Sequence, residues 1–468
     1  MAQLTPSAGY TLTLRVNLEN MPGTLGRLTT AIGRAGGDLG AVDLVEHRGK
    51  VVVRDLTVKC RDEAHGQAIV RAAREVEGVE VRQVTDRTFG MHAKGKISVT
   101  SKFPLKSRDD LSMAYTPGVG RISRAIADDP ERVWDLTIKG NSVAVLTDGT
   151  AVLGLGNIGP EAALPVMEGK AMLFKEFADI DAYPVCVRTS SADELIAVAK
   201  AIEPGFGGIN LEDVAAPACF EVEERLRKEL SIPVFHDDQH GTAVVTLGAL
   251  LNATHVTGRP LDELKVVFLG MGAAGIATAK LLLHAGIGDI VGCDRNGIVH
   301  SGRSDLTPSK QWIADNTNRD NVVGSIEDAL HGADVFIGVS GPGLVKPDYL
   351  EKMNADAIVF ALANPVPEIM PEEMPPNVRI AATGRSDYPN QINNVLVFPG
   401  FFRGLLDTRA TGVHIGMELA AAKALAGVLG EDELDEESIV PSVFDRRVMP
   451  AIARAVADVA ASEAVAKS

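Results

Sequence analysis

Two acidic pairs and one glycine-rich turn carry the chemistry available to this sequence. Glu212 and Asp213 follow the apolar run 207–211 (GGINL), and His236, Asp237 and Asp238 follow the run 232–235 (IPVF). If both runs are strands of one parallel sheet, their ends share the edge at which such sheets bind ligands. Four carboxylates then meet in one cleft, and like charges that close raise one another's pKa unless a cation neutralises them. Oxygen-rich clusters suit Mg²⁺ or Mn²⁺, which leave positions open for water and substrate. Capping of the next helix accounts for one Asp at a strand end, but not for an acidic pair at each of two.

The glycine-rich turn is Gly270-Met271-Gly272-Ala273-Ala274-Gly275, between the apolar run 266–269 and an amphipathic stretch. The first glycine permits the turn, the second lets backbone approach a pyrophosphate, and the third lets helix pack close to strand. The helix N-terminus then offers free N–H groups and its positive dipole end to phosphate. Asp294 ends the next apolar run, where an acid on the adenine ribose is expected. Asp294 alone favours NAD by repelling a 2′-phosphate, whereas the adjacent Arg295 can pair with one, so NAD and NADP both stay open. A second GxGxxG, at Gly154, Gly156 and Gly159, precedes Pro160 and a short Ala/Leu/Pro stretch, a poor start for a phosphate-binding helix.

The elements that must position these groups fall into three parts: 1–88, 89–240 and 241–468. Strand signals at 10–18, 38–48, 51–59 and 78–86, with helical periodicity at 24–35 and 63–76, give the ferredoxin-like order βαββαβ. Residues 89–105 read as a linker. Strand runs at 142–146, 183–188, 207–211 and 232–235, with helices between the last three, imply a parallel sheet. A second α/β unit occupies 265–398, with further strands at 290–293, 334–339 and 357–361, and an Ala-rich helical tail follows 413. The fold class is α/β: a Rossmann-type domain and an α/β catalytic domain, preceded by the small βαββαβ unit.

The whole chain sets bounds. Its 468 residues carry 46 Lys and Arg against 62 Asp and Glu, a formal net charge of -16, which argues against nucleic-acid or anionic-membrane surfaces. Cys60, Cys186, Cys219 and Cys293 form no CxxC pair and read as reduced thiols. The first residues lack a basic segment followed by an apolar core, and no run is long and apolar enough to span a bilayer. A cytoplasmic location is expected.

Two resemblances add to this. The turn Asn20-Met21-Pro22-Gly23 followed by Leu25 resembles the ACT regulatory domain, which implies a small-molecule effector, commonly an amino acid, or a purely structural pairing module. LSMAYTPGVG (111–120), TDGTAVLGLGNIGP (147–160), PVMEGKAMLFKEFADIDA (165–182), NLEDVAAP (210–217), FHDDQHGTAVV (235–245), LANPVPE (362–368) and NQINNVLVFPG (390–400) resemble, in order, the malic enzyme catalytic domain in its shorter prokaryotic form. That resemblance implies oxidative decarboxylation of L-malate to pyruvate with NAD or NADP and Mg²⁺ or Mn²⁺, in a homodimer or homotetramer. It implies Glu212, Asp213 and Asp238 as metal ligands and Lys170 as general base. Tyr115 becomes the acid that protonates C3, supported by Lys170 or Lys175, and Asp237 completes the proton-transfer set. Asn364 and Asn394 become malate-binding amides, with Asn364 also toward the nicotinamide. An amine near pKa 10.4 must be lowered to act as a base at neutral pH. One departure stands out: Ala151 occupies the place of an Arg that grips the malate carboxylate in larger members.

Three rivals remain. A malolactic enzyme keeps NAD bound and releases lactate. Another metal-dependent decarboxylating dehydrogenase takes a different hydroxy acid. A binding module senses a metabolite on a dead scaffold, against which the intact set of acids, Lys170 and Tyr115 argues.

Overall fold

The computed structural model describes residues 6–467; residues 1–5, part of the N-terminus read above for a leader, lie outside it. The chain divides into two compact units, parting between Ser98 and Val99.

In the first unit, β1 (Ser7–Glu19), β2 (Asp38–Arg48), β3 (Val51–Cys60) and β4 (Val79–Asp86) form an antiparallel sheet of order β2-β3-β1-β4. Leu14, Val16 and Leu18 alternate inward along β1, the period of a half-buried strand. They pack with Leu28 and Ile32 of helix Thr24–Arg34 and Ile69 of helix Glu63–Arg74. Gly23, at φ 89°, makes the turn from β1 into the first helix. Asp62 caps the second helix by accepting from the His65 N–H at 2.8 Å. The βαββαβ expectation holds.

In the second unit, β5 (Ser142–Thr147), β6 (Asp181–Cys186), β7 (Gly208–Leu211) and β8 (Val234–His236) form a fully parallel sheet of order β6-β5-β7-β8. A second sheet contains β9 (Lys265–Leu269), β10 (Asp289–Asp294), β11 (Gly297–Ile298), β12 (Val335–Gly338), β13 (Ala357–Ala361) and β14 (Val378–Thr383). Its order is β11-β10-β9-β12-β13-β14, and only the β10–β11 pair is antiparallel. Nearly every residue of β5, β9, β12 and β13 is buried, as strands covered on both faces require. This is the expected α/β architecture with a Rossmann-type sheet.

Several helices are not legible in the sequence, among them Thr242–Thr257, Phe398–Asp407 and Pro160–Ala178. Pro160–Ala178 is a 19-residue helix where the sequence shows Pro160 and a short Ala/Leu/Pro stretch. Pro160 sits at the first helical turn, where its missing N–H costs nothing. Phe174 of this helix packs edge-on against Phe398 at 4.7 Å and Phe402 at 5.3 Å, and all three are fully buried. Burial of one such ring contributes roughly 1.5–3 kcal/mol, so tertiary packing fixes a helix that local pattern does not announce. Strands β11 and β14 were likewise unread.

Residues 99–138 pack differently. Val99, Phe103, Leu105, Met113 and Tyr115 are all more than 60 % exposed.

Candidate active site

Parallel pairing of β7 with β8 brings Leu211 level with His236, so the residues after them share one edge. There the structure assembles five of the expected groups, Glu212, Asp213, Asp237, Asp238 and Asn394, around Lys170. The Lys170 ammonium, from the middle of helix Pro160–Ala178, donates to Asp237 Oδ2 at 2.6 Å and pairs with Glu212 Oε1 at 2.9 Å. It lies 4.3 Å from the centre of the Phe398 ring, so the packing that orders the helix also seats the amine. Asn394 donates through Nδ2 to Asp237 Oδ2 at 3.1 Å, and its Oδ1 accepts from the Thr242 hydroxyl at 3.2 Å. A Cβ at Gly241 would collide with Asp237 Oδ1; glycine is needed there to let the carboxylate in.

Glu212, Asp213 and Asp238 each offer an oxygen within 4.8 Å of the others'. Asn210 donates to Glu212 Oε2 at 2.8 Å, and the Asp213 N–H donates to Asp238 Oδ2 at 2.9 Å. Buried Asp213 Oδ2 and Asp237 Oδ1 have no hydrogen-bond partner within the described residues. Burial and the Asp238 charge push the Asp213 carboxyl up to about 7. Burial likewise raises Glu212 well above its ordinary range, against the pull of Lys170. Buried carboxylates with orphaned oxygens fit a hard divalent cation, which would satisfy them and lower their pKa.

The same field explains why Lys170 is not lowered here, as a base requires. Burial works to lower it, but Asp237 and Glu212 together outweigh burial and hold it protonated. Neutralising the acids removes what holds the proton.

Not every expected residue joins this cluster. Tyr115 follows helix Arg108–Ala114 in the exposed segment and is itself 67 % exposed. Lys175 pairs with Asp179 and Asp181 instead of supporting Tyr115. Asn364 is exposed after β13. Its backbone carbonyl faces Gly154 so closely that a Cβ there would come within 2.9 Å. The second glycine motif therefore serves close backbone packing at Asn364.

At the dinucleotide turn each glycine has its own reason. Gly270 has φ 112°, and a Cβ on Gly275 would collide with the Gly270 carbonyl. A Cβ on Gly272 would meet nothing within 4 Å, leaving open space before helix Ala273–Ala285. That open approach to free helical N–H groups fits a pyrophosphate. Ala273 and Ala274 open this helix. Asp294 ends β10, but its carboxylate is already engaged: Arg303 donates to both oxygens at 2.9 and 3.2 Å, and Lys310 pairs with Oδ2. Burial works to raise Asp294, and these two cations hold it below the usual carboxylate range. Arg295 is exposed beside it.

The sequence did not single out Arg303, Lys310 or a buried glutamate, Glu368. Glu368 accepts from the Ser340 N–H at 2.7 Å and the Ala363 N–H at 3.1 Å. It thereby ties together the loops after β12 and β13, next to Asn364. Its only sequence signal was its place at the end of LANPVPE.

Comparison with known proteins shows the family of the chain. Residues 94–192 match the family model for the malic enzyme N-terminal domain, residues 239–461 that for the malic enzyme NAD-binding domain, and residues 6–81 that for the ACT domain. The chain is 54 % identical to a NAD-dependent malic enzyme of Geobacillus stearothermophilus, over 99 % of this chain and 97 % of that one. It is 52 % identical to a bifunctional malic/malolactic enzyme of Bacillus subtilis, over 80 % of this chain and 92 % of that one. The crystal structure of a malic enzyme from Pyrococcus horikoshii superposes with a TM-score of 0.76 at 51 % identity, covering 79 % of this chain and 88 % of the other.

Proposed function

The chain belongs to the malic enzyme family, and on that premise we propose that it oxidises and decarboxylates L-malate to pyruvate and CO₂, reducing NAD⁺ or NADP⁺. The observation that carries this reading is the buried Lys170 ammonium, held at 2.6 Å from Asp237 and 2.9 Å from Glu212 beside the acidic trio. Glu212, Asp213 and Asp238 are the residues that hold Mg²⁺ or Mn²⁺. Gly270, Gly272, Gly275 and the helix they open hold the pyrophosphate. When bound, the cation supplies Lewis-acid polarisation at the C2 oxygen of malate and the nicotinamide accepts hydride.

The chain's own residues handle the protons. Lys170 takes the proton of the C2 hydroxyl. Asp237, hydrogen-bonded to both Lys170 and Asn394, orients the amine and shares its proton. Asn394 and Asn364 hold the substrate by their amides. Tyr115 delivers the proton to C3 after CO₂ leaves. Full-length protein with L-malate and Mn²⁺, given NAD⁺ or NADP⁺ separately, is expected to form reduced cofactor and pyruvate in equal amounts. Neither product with either cofactor would overturn the assignment. Similarity to a bifunctional malic/malolactic enzyme supports a second reading, and lactate formed without accumulation of reduced cofactor would select it.

Three finer readings belong here. The exposed apolar side chains of residues 99–138 support a homodimer or homotetramer, because a second copy would cover them and enclose Tyr115. Sedimentation showing only monomer would count against it. The ACT match supports a small-molecule effector, and the first unit contains a cavity of about 710 Å³ with Tyr10, Arg71, Arg74 and Phe89 among its walls. Kinetics unchanged by a panel of amino acids and acyl-CoAs would remove that reading. No described helix is long and apolar enough to cross a membrane. We place the enzyme in the cytoplasm, where its four unpaired cysteines would stay reduced.

A further inference from the structure

Asp237 and Asp238 do not stand on an ordinary helix. They open a widened helical turn, Asp237–Gly241, whose hydrogen bonds skip one residue more than an α-helix allows. Such turns are rare and need support from outside themselves. Here the support is charged and buried. Glu223, from helix Ala218–Glu229, is 5 % exposed. Its carboxylate accepts from the His236 N–H at 3.1 Å and from Gln239 Nε2 at 3.2 Å, and it meets His240 Nε2 at 2.9 Å. These three positions bracket the two aspartates. Arg227 meets the same carboxylate at 2.9 Å. On the other side of the imidazole, His240 Nδ1 lies 2.9 Å from Oε1 of Glu418, which is 3 % exposed on helix Ile415–Ala426. Glu223 holds the imidazole by a hydrogen bond at Nε2, and Glu418 faces Nδ1 as an ion-pair contact, so the ring has a carboxylate oxygen on each side.

Apolar side chains would fill this space without the desolvation that buried charges bring. What charges add is direction: each hydrogen bond fixes one atom of the turn. We propose that Glu223 and Glu418 are positioning residues for the metal site, holding through His240 the turn that aims Asp238 at the cation and Asp237 at Lys170. Neither glutamate is among the ligating trio. The inference rests on reading Glu212, Asp213 and Asp238 as metal ligands. It makes a helix near the C-terminus of the chain a determinant of metal affinity. Groups that orient metal ligands typically control affinity by 10–100-fold.

The test compares full-length wild type, Glu418→Leu and Glu418→Gln by calorimetric titration with Mn²⁺. NAD⁺ binding, followed by quenching of intrinsic fluorescence, is the control at the other end of the cleft. Glu418→Leu is expected to bind Mn²⁺ about 10–100-fold more weakly with NAD⁺ affinity unchanged. Glu418→Gln keeps an acceptor for His240 and is expected to recover most of the loss. Unchanged Mn²⁺ affinity in folded Glu418→Leu overturns the proposal. So does an equal loss of Mn²⁺ and NAD⁺ binding, which would mark a merely structural role. If Glu418→Leu does not fold, Glu223→Gln, which weakens the ties to Gln239 and His240, is read by the same two titrations. A wild type that binds no Mn²⁺ would overturn the metal-site reading itself; normal wild-type binding with unaffected variants would overturn only the positioning role.

Discussion

Two acidic strand ends in this molecule look alike in sequence and differ in charge balance. At the edge of β7 and β8, among the described residues, Glu212, Asp213, Asp237 and Asp238 share a single ammonium, Lys170, and two of their buried oxygens have no hydrogen-bond partner. At the end of β10, Asp294 and Asp305 share Arg303, and Lys310 adds a second cation to Asp294. The first site is short of positive charge and the second is not. An acid is informative less by its presence than by what already satisfies it. A deficit in a buried place calls for a cation from outside. A neutralised acid beside a ribose site no longer acts as the free anion by which such acids reject a phosphate.

The largest test of this contrast removes the Lys170 ammonium from the first site. Lys170→Ala is expected to lose more than ~10²-fold in kcat, with circular dichroism unchanged. Near-normal turnover would take Lys170 out of the proton transfer and leave the charge deficit without its chemical consequence. The next test is graded by pH. With Asp213 pushed up to about 7, the metal-free cluster keeps a proton at neutral pH, and cation binding must displace it. Mn²⁺ affinity is therefore expected to weaken as pH falls below about 7, by up to ~tenfold per unit for one displaced proton, and to level off above. Calorimetry in buffers of different ionisation enthalpy would count the proton released; none released would mean the acids are satisfied without the cation.

Legibility follows the range of the interactions. Glu212, Asp213, Asp237 and Asp238 were visible because each directly follows an apolar strand run, and parallel pairing does the rest. Gly270, Gly272 and Gly275 were visible because each answers a local demand of one turn. The βαββαβ unit was visible because β1 and its neighbours alternate cleanly. Helix Pro160–Ala178 was not, because its two prolines hide a pattern that Phe398 and Phe402 complete from far along the chain. Glu223 and Glu418 were invisible for the same reason: their partners are brought close only by folding. The state of Lys170 in the metal-free protein is not legible in the sequence, since the residue alone says nothing of how many carboxylates will surround it. Tyr115 was legible only as part of a motif, and no contact in the described structure buries it.

The smallest expected effect sharpens the other half of the contrast. If Asp294 is neutralised by Arg303 and Lys310, it cannot repel a 2′-phosphate as a lone acid does. NADP⁺ should then bind within ~tenfold of NAD⁺, a difference of about 1.4 kcal/mol. Lys310 is the adjustable member. Arg303 is 9 % exposed and also holds Asp305 through Nε at 2.9 Å, whereas Lys310 is 22 % exposed. Lys310→Met keeps the length of the side chain and removes its charge. It restores a net negative charge at Asp294 and takes away a donor to the phosphate, while the ribose hydroxyls of NAD⁺ still find their acceptor. The expected outcome is ~2–5-fold weaker NADP⁺ binding, the scale of one partly exposed ion pair, with NAD⁺ affinity nearly constant, read by fluorescence titration with each dinucleotide. Salt should narrow the wild-type difference between the two cofactors' responses, because screening acts on the extra phosphate alone. Equal weakening of both cofactors would show that Lys310 only braces the loop. A wild type that binds NADP⁺ more than ~100-fold worse than NAD⁺, about 2.7 kcal/mol, would show that Asp294 still acts as a free anion despite its two partners, and the contrast between the two strand ends would fall.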